Sequence, residues 1–152
     1  MPAHAAPRYT IALVTWRNSE IELRSIRTQV FMHEQGVPAE LEWDGEDAHA
    51  IHVLATDPRG NPIGTGRMLV HGEQAHIGRM AVLPSWRNQG VGASLLSGLL
   101  EAASARGIHS LFLNAQTTAV PFYERFNFVC EGAEFLDAGI PHYRMSLTPQ
   151  KP

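Results

Sequence analysis

Cysteine is nearly absent from this chain, with one thiol, Cys130, in 152 residues. One thiol closes no internal disulfide and builds no multi-cysteine zinc site. On an expected strand it reads as a small core hydrophobe. An excess of one charge is missing too: 12 Lys and Arg against 15 Asp and Glu leave a formal net charge of -3. The basic residues form no cluster, so neither nucleic acid nor a membrane surface is expected as a partner. No apolar run approaches the ~18 residues of a membrane-crossing helix, and no apolar leader with a cleavage site opens the sequence. A cytoplasmic address is expected. The eight histidines are scattered, without an H-E-x-x-H pair. His49 and His52 would point to opposite faces of a strand. No metal is expected.

What is present describes an ordinary globular chain, 44% hydrophobic and 18% charged. The length fits one domain, expected over 9–148 after a loose N-terminal tail at 1–8. Tyr9 to Trp16 reads as a strand. Ser19-Glu20-Ile21-Glu22 reads as a capping box that starts a helix, with Ile21, Ile26 and Val30 on its apolar face. That helix ends before Gly36 and Pro38, and an acidic, irregular stretch runs from Gly36 to Asp47. Strands are expected over His49–Thr56, Ile63–Val70 and Ala75–Leu83, separated by turn-forming sequences. A helix from Gly90 carries Leu95, Leu96, Leu99, Leu100 and Ala103 at helical spacing and closes at Arg106-Gly107. A buried strand at Ser110–Asn114, a short helix at Thr118–Phe126 and strands at Val129–Phe135 and His142–Leu147 complete the order. Asn127 is suited to the left-handed stop after the short helix.

The order β-α-α-β-β-β-α-β-α-β-β implies an α+β domain with a mixed sheet, antiparallel early and parallel at the glycine turn. That turn, Arg87-Asn88-Gln89-Gly90-Val91-Gly92-Ala93, follows a strand and opens a long helix. Free backbone N–H groups and the helix dipole make such a place an anion site. The anion would be a diphosphate. A dinucleotide loop would need a third glycine where Leu95 stands, and a triphosphate loop would need a Gly-Lys pair that the chain lacks.

Arg-x-x-Gly-x-Gly in this setting resembles the pyrophosphate loop of the GCN5-related N-acetyltransferases, and the element order of that family matches nearly the whole chain. Phe31-Met32-His33-Glu34-Gln35-Gly36-Val37-Pro38 and Gly139-Ile140-Pro141-His142 resemble the ElaA/YjcF-like bacterial subgroup. The resemblance implies an acyl-coenzyme A N-acyltransferase fold that takes acetyl-coenzyme A as donor and a small-molecule or peptide amine as acceptor, with a homodimer open to it. It implies that Met80, Ala81 and Val82 align the pantetheine arm and that Arg87, Asn88, Gln89, Gly90, Val91, Gly92 and Ala93 hold the pyrophosphate. Phe122-Tyr123-Glu124-Arg125-Phe126-Asn127-Phe128 resembles the family's Phe-Tyr-x-x-x-Gly-Phe segment. Tyr123 is then the general acid toward the departing thiolate, with Phe122 beside the cofactor.

Asn114 would bond the cofactor's amide or merely cap its strand. The acceptor amine needs a base, for which Glu34, Glu42, His52 and His142 are candidates, Glu34 and His142 ahead of the others. The acidic residues Glu40, Glu42, Asp44, Glu46 and Asp47 either attract a cationic acceptor or form a solvated loop. The expected reaction is direct attack of the amine on the thioester. The rival reading is a non-catalytic acyl-coenzyme A sensor.

Overall fold

A computed structural model describes residues 8–148, so of the expected tail only Arg8 lies within the described residues. The strands are β1 (Thr10–Val14), β2 (Ile51–Thr56), β3 (Pro62–His71), β4 (Gln74–Val82), β5 (Ser110–Gln116), β6 (Val129–Asp137) and β7 (Ile140–Leu147). The helices are α1 (Trp16–Arg27), α2 (Ala39–Glu42), α3 (Val91–Ala105) and α4 (Val120–Glu124). α1 continues into wider π-helical turns over Thr28–Glu34. One sheet holds all seven strands in the order β1-β2-β3-β4-β5-β7-β6. Every neighbouring pair is antiparallel except β4 and β5, which run parallel as expected at the glycine turn.

β2 and β3 are buried on both faces, and alternation sorts their side chains. Val53 and Ala55 pack with Leu95, Leu96 and Leu99 of α3, while Leu54 between them packs with Leu23, Ile26 and Val30 of the α1 side. Each fully buried leucine of α3 contributes roughly 1.5–3 kcal/mol of burial. α3 closes as its sequence predicts: Gly107 takes φ +71° and its N–H bonds the Ser104 carbonyl, while the Ile108 N–H bonds that of Ala103. Asn127 likewise adopts φ +72° after α4. Among the described residues no helix is long and apolar enough to cross a membrane.

Three local expectations change. α1 starts at Trp16, not in the capping box, because the Thr15 side chain already accepts from the Asn18 N–H. Ser19 survives as a break within it, at φ -128°. Ile21 is 83% exposed, since the packed face runs through Leu23, Ile26 and Val30. Cys130 is exposed as well: it lies on β6, an edge strand paired only to β7 and exposed along its whole length.

The acidic stretch is neither irregular throughout nor simply solvated. It forms α2 and a 3-10 turn at Asp47–His49 and meets three arginines beneath the sheet. Arg27, 1% exposed, reaches Glu42 Oε2 at 2.7 Å through Nε and Asp47 Oδ1 at 2.6 Å through Nη1. Arg67 joins Asp44 at 2.8 Å and Asp47 at 3.1 Å, and Arg79 lies 3.1 Å from Glu42. The indoles of Trp43 and Trp16 stand 4.8 and 5.6 Å from the Arg27 guanidinium. Burial alone would raise the Asp44 and Asp47 carboxyls. Hydrogen bonds and positive charge from Arg67 on Asp44, and from Arg27 and Arg67 on Asp47, outweigh it and hold both below the ordinary aspartate range.

Removing one partner from such a network leaves uncompensated buried charge. Arg27→Met should therefore cost about 3 kcal/mol in urea denaturation, and a loss under about 1 kcal/mol would show the network to be energetically idle. Because Asp44 and Asp47 titrate lower in the folded than in the unfolded chain, their stabilisation is present above the usual aspartate pKa of about 4. It is lost as pH falls below that toward their folded values. The melting temperature of Arg27→Met should accordingly fall less steeply with acid than that of the wild type.

Candidate active site

β4 and β5 share a ladder only from Gln74 to Ile77 against Ser110 to Leu113. Beyond Ile77 they part. On the β3 side, Thr65 faces Ala81 and Arg67 faces Gly78, so two residues of β4, Arg79 and Met80, stand opposite Gly66 alone. This bulge carries Arg79 at φ +54°. Between the parted strands lies a cavity of about 1010 Å³. Met80, Ala81 and Val82 line it from β4, and Asn114 and Gln116 from β5. Asn114 is the first residue of β5 past the shared ladder, and its side chain has no hydrogen-bond partner among the described residues.

One end of the cavity is the turn before α3. Arg87, Asn88, Gly90, Val91, Gly92 and Ala93 line it, with Asn88 at φ +61° and Gly90 at φ +85°. No side chain caps α3, so the N–H groups of its first turn are left for an anion. A Cβ on Gly92 would rest 3.6 Å from the Phe122 ring and 3.9 Å from Val82, both ordinary contacts. Packing therefore does not demand glycine there; the missing side chain leaves room in front of the helix terminus. Gln89 is the one residue of this turn outside the lining, and its side-chain amide donates to the Ser85 carbonyl at 3.0 Å.

Arg87 and Glu34 arrive at this end together. The Arg87 Nε donates to the Val82 carbonyl at 2.9 Å, while Nη1 and Nη2 each donate to a Glu34 oxygen at 2.7 Å. Hydrogen bonding to Arg87 holds the Glu34 carboxyl below its ordinary value. Sequence reasoning assigns the two residues separate roles, and no local spacing announces a contact across 53 positions. Next to Glu34, Gln35 accepts a 2.9 Å hydrogen bond from Gln116 at the end of β5. Both glutamines line the cavity, and sequence reasoning misses them. Gln116 lies two residues beyond Asn114, on the same face of the strand, which is the available signal.

Tyr123 comes from α4, 8% exposed, and lines the cavity with its ring 5.0 Å from Phe122 and 6.1 Å from Phe128. Burial pushes its phenol above the ordinary tyrosine range, so it stays protonated. His142, on β7 opposite Gln116, lines the cavity as well. Its Nδ1 lies 2.6 Å from the Ile140 carbonyl. A carbonyl only accepts, so Nδ1 is the donor in this contact. His76 also lines the cavity, stacked 4.5 Å from Phe112, and burial, with the charges of Arg67 and Arg79, pushes its pKa down to about 4.

The other base candidates are spent elsewhere. Glu42 lines the cavity, but its carboxylate is held in the buried network by Arg27 and Arg79. His52 is outside the lining; its Nε2 donates to the Asp47 carbonyl at 2.9 Å and its ring lies 5.5 Å from Trp16. Among the described residues no group of three or more His, Cys, Asp or Glu side chains is placed to hold a metal.

The parted parallel strands, the uncapped helix terminus and the buried Tyr123 border one cavity. The family is shown by comparison with known proteins. The sequence profile described as "Acetyltransferase (GNAT) domain" matches residues 15–149. YjcF of Bacillus subtilis, described as an uncharacterised N-acetyltransferase, is 41% identical over 121 residues, covering 79% of this chain and 86% of YjcF. An acyl-CoA N-acyltransferase structure from Pseudomonas aeruginosa is 30% identical with a TM-score of 0.80, covering 92% of this chain and 98% of that one. The ElaA structure from Escherichia coli has the same fold, with a TM-score of 0.82 at 24% identity over 91% of this chain and 99% of that one. The chain belongs to the GCN5-related N-acetyltransferase family, with YjcF among its relatives.

Proposed function

We propose that this chain transfers the acetyl group of acetyl-coenzyme A to a primary amine by direct attack, with Tyr123 as general acid and His142 as general base. The observation that carries the reading is the cleft between β4 and β5. It joins an uncapped helix terminus at one end to a protonated phenol and the His142 imidazole along the same wall. The first turn of α3 and the backbone from Asn88 to Ala93 take the pyrophosphate, with Gln89 contributing its backbone only. Met80 to Val82 offers an extended edge without a β5 partner to the amide-bearing arm. Asn114 bonds an arm amide, and Phe122 packs beside it.

In the reaction His142 Nε2 removes a proton from the acceptor ammonium, directly or through one water. The neutral amine forms its N–C bond to the acetyl carbon and the C–S bond breaks. Tyr123 protonates the leaving sulfur, and its phenolate takes back the proton that the new amide nitrogen sheds, directly or through water, while His142 releases its proton to solvent. Backbone N–H groups of the unpaired β4 segment stabilise the oxyanion while it exists. Glu34 takes no proton here. Its charge orients Arg87, and a carboxylate held below its ordinary pKa is a poor base at neutral pH.

Acetyl-coenzyme A should raise the melting temperature of the wild type, since it binds the folded state alone, and Gly92→Glu should fold normally but lose that shift. No shift in the wild type would sink the donor assignment. Tyr123→Phe should keep the shift and lose about 10²–10⁴-fold in kcat, the usual yield of a general acid. An unchanged rate and pH profile would remove Tyr123 from the chemistry. Intact coenzyme binding with no thiol release across varied amines would favour the sensor reading. His142→Gln should lower kcat about 10²–10⁴-fold while the acetyl-coenzyme A shift in melting temperature is kept, and Glu34→Gln should not lower kcat to that extent. The reverse pattern would return the base to Glu34.

A further inference from the structure

The acyl-transfer reading assigns no part to Arg79, yet its backbone is unusual and its side chain heavily engaged. At φ +54° it occupies the left-handed region that glycine takes far more readily, at the first position of a bulge. A residue with a side chain stays there only where its surroundings over-determine it. Here they do so from two faces. On the α1 side, Arg79 Nη2 donates to the Leu41 and Glu42 carbonyls at 3.2 and 3.0 Å and lies 3.4 Å from Asp44 Oδ2. Its Nε is 3.1 Å from the Glu42 carboxylate, which Arg27 grips from behind. On the α3 side, Met80 fills the hollow over Gly66. A Cβ on that glycine would fall 2.6 Å from Met80 Sδ, 3.0 Å from Leu99 and 3.2 Å from Val53.

The bulge begins within two residues of Ile77, where β4 leaves β5, and the next residues, Met80 to Val82, form the cleft edge. We propose that Arg79 is a positioning residue. By tying the bulge to Leu41, Glu42 and Asp44, it holds Met80–Val82 clear of β5 and fixes the edge along which the thioester is aligned. The proposal rests on the acyl-transfer reading for the identity of what lies along that edge. The acidic segment thereby gains a role as well, since Glu42 and Asp44 anchor the strand from below, and none of this requires a cationic acceptor.

The test uses the full chain with Arg79→Ala, Arg79→Gly, Arg79→Lys and Gly66→Ala. Arg79→Ala should lower kcat at least tenfold while the calorimetric Kd for coenzyme A stays within threefold, because the α3 terminus is untouched. Arg79→Gly accepts the positive φ freely but lacks the anchor, so it should not recover the rate; Arg79→Lys should recover part of it. Gly66→Ala, which displaces Met80 from the opposite face, should show the same split between kcat and Kd. Hydrogen exchange supplies a readout that needs no turnover. Coenzyme A should protect both 78–83 and 87–93 in the wild type, and only 87–93 in Arg79→Ala. Three results would overturn the proposal: a kcat within threefold of wild type in Arg79→Ala, a full rate in Arg79→Gly, or protection of 78–83 retained in Arg79→Ala. So would kcat and coenzyme affinity falling together in step with the melting temperature. A wild type that binds coenzyme A but transfers nothing would defeat the acyl-transfer reading, leaving the exchange pattern to decide the role of Arg79.

Discussion

The structure depends on hydrogen bonds that are not made. β4 and β5 are neighbouring parallel strands that stop pairing after Ile77 and Leu113, each going on for several residues with one edge open. Buried and unpaired, that backbone would be costly, because main-chain N–H and C=O groups demand partners. Facing a cleft, the same groups are solvated until a ligand replaces the water. Each strand is held from its other side, β4 by β3 and β5 by β7, so the gap persists within a sheet that is otherwise continuous.

Holding such a gap needs rigidity on either side, and the two faces of the sheet supply it differently. The α3 face is apolar, built on Leu95, Leu96 and Leu99 against the inward residues of the central strands. The α1 face is partly ionic, with Arg27, Arg67 and Arg79 interleaved with Glu42, Asp44 and Asp47. Buried pairs add little net stability over apolar packing, but they fix geometry closely because each guanidinium accepts only a few arrangements of partners. The side of the sheet that carries the strained bulge is the side built from directional contacts.

Much of this is legible in the sequence. The glycine turn, the apolar stripe of α3, the left-handed Asn127 and the Phe122-Tyr123 segment are local patterns, and local patterns declare themselves through spacing. What escapes is pairwise and distant. Arg87 and Glu34 each stand out as functional, but nothing in the sequence marks them as partners. The acidic segment looks solvent-facing because the arginines that neutralise it lie on α1, β3 and β4. Cys130 departs from the usual preference of its residue type, which an edge strand overrides. The start of α1 is missed because Thr15, read as part of the first strand, makes the capping bond four residues before Ser19.

Glu34 and Gln35 are consecutive, yet they reach opposite banks of the cleft: Glu34 the turn before α3, Gln35 the far end of β5. Both lie at the close of the π-helical turns over Thr28–Glu34, where each residue advances the chain less steeply around the axis than in an α-helix. The span between the banks is thus gauged by the winding of one short helical segment. Adding or removing a single residue there would turn Glu34 and Gln35 about the helix axis and change which bank each one reaches.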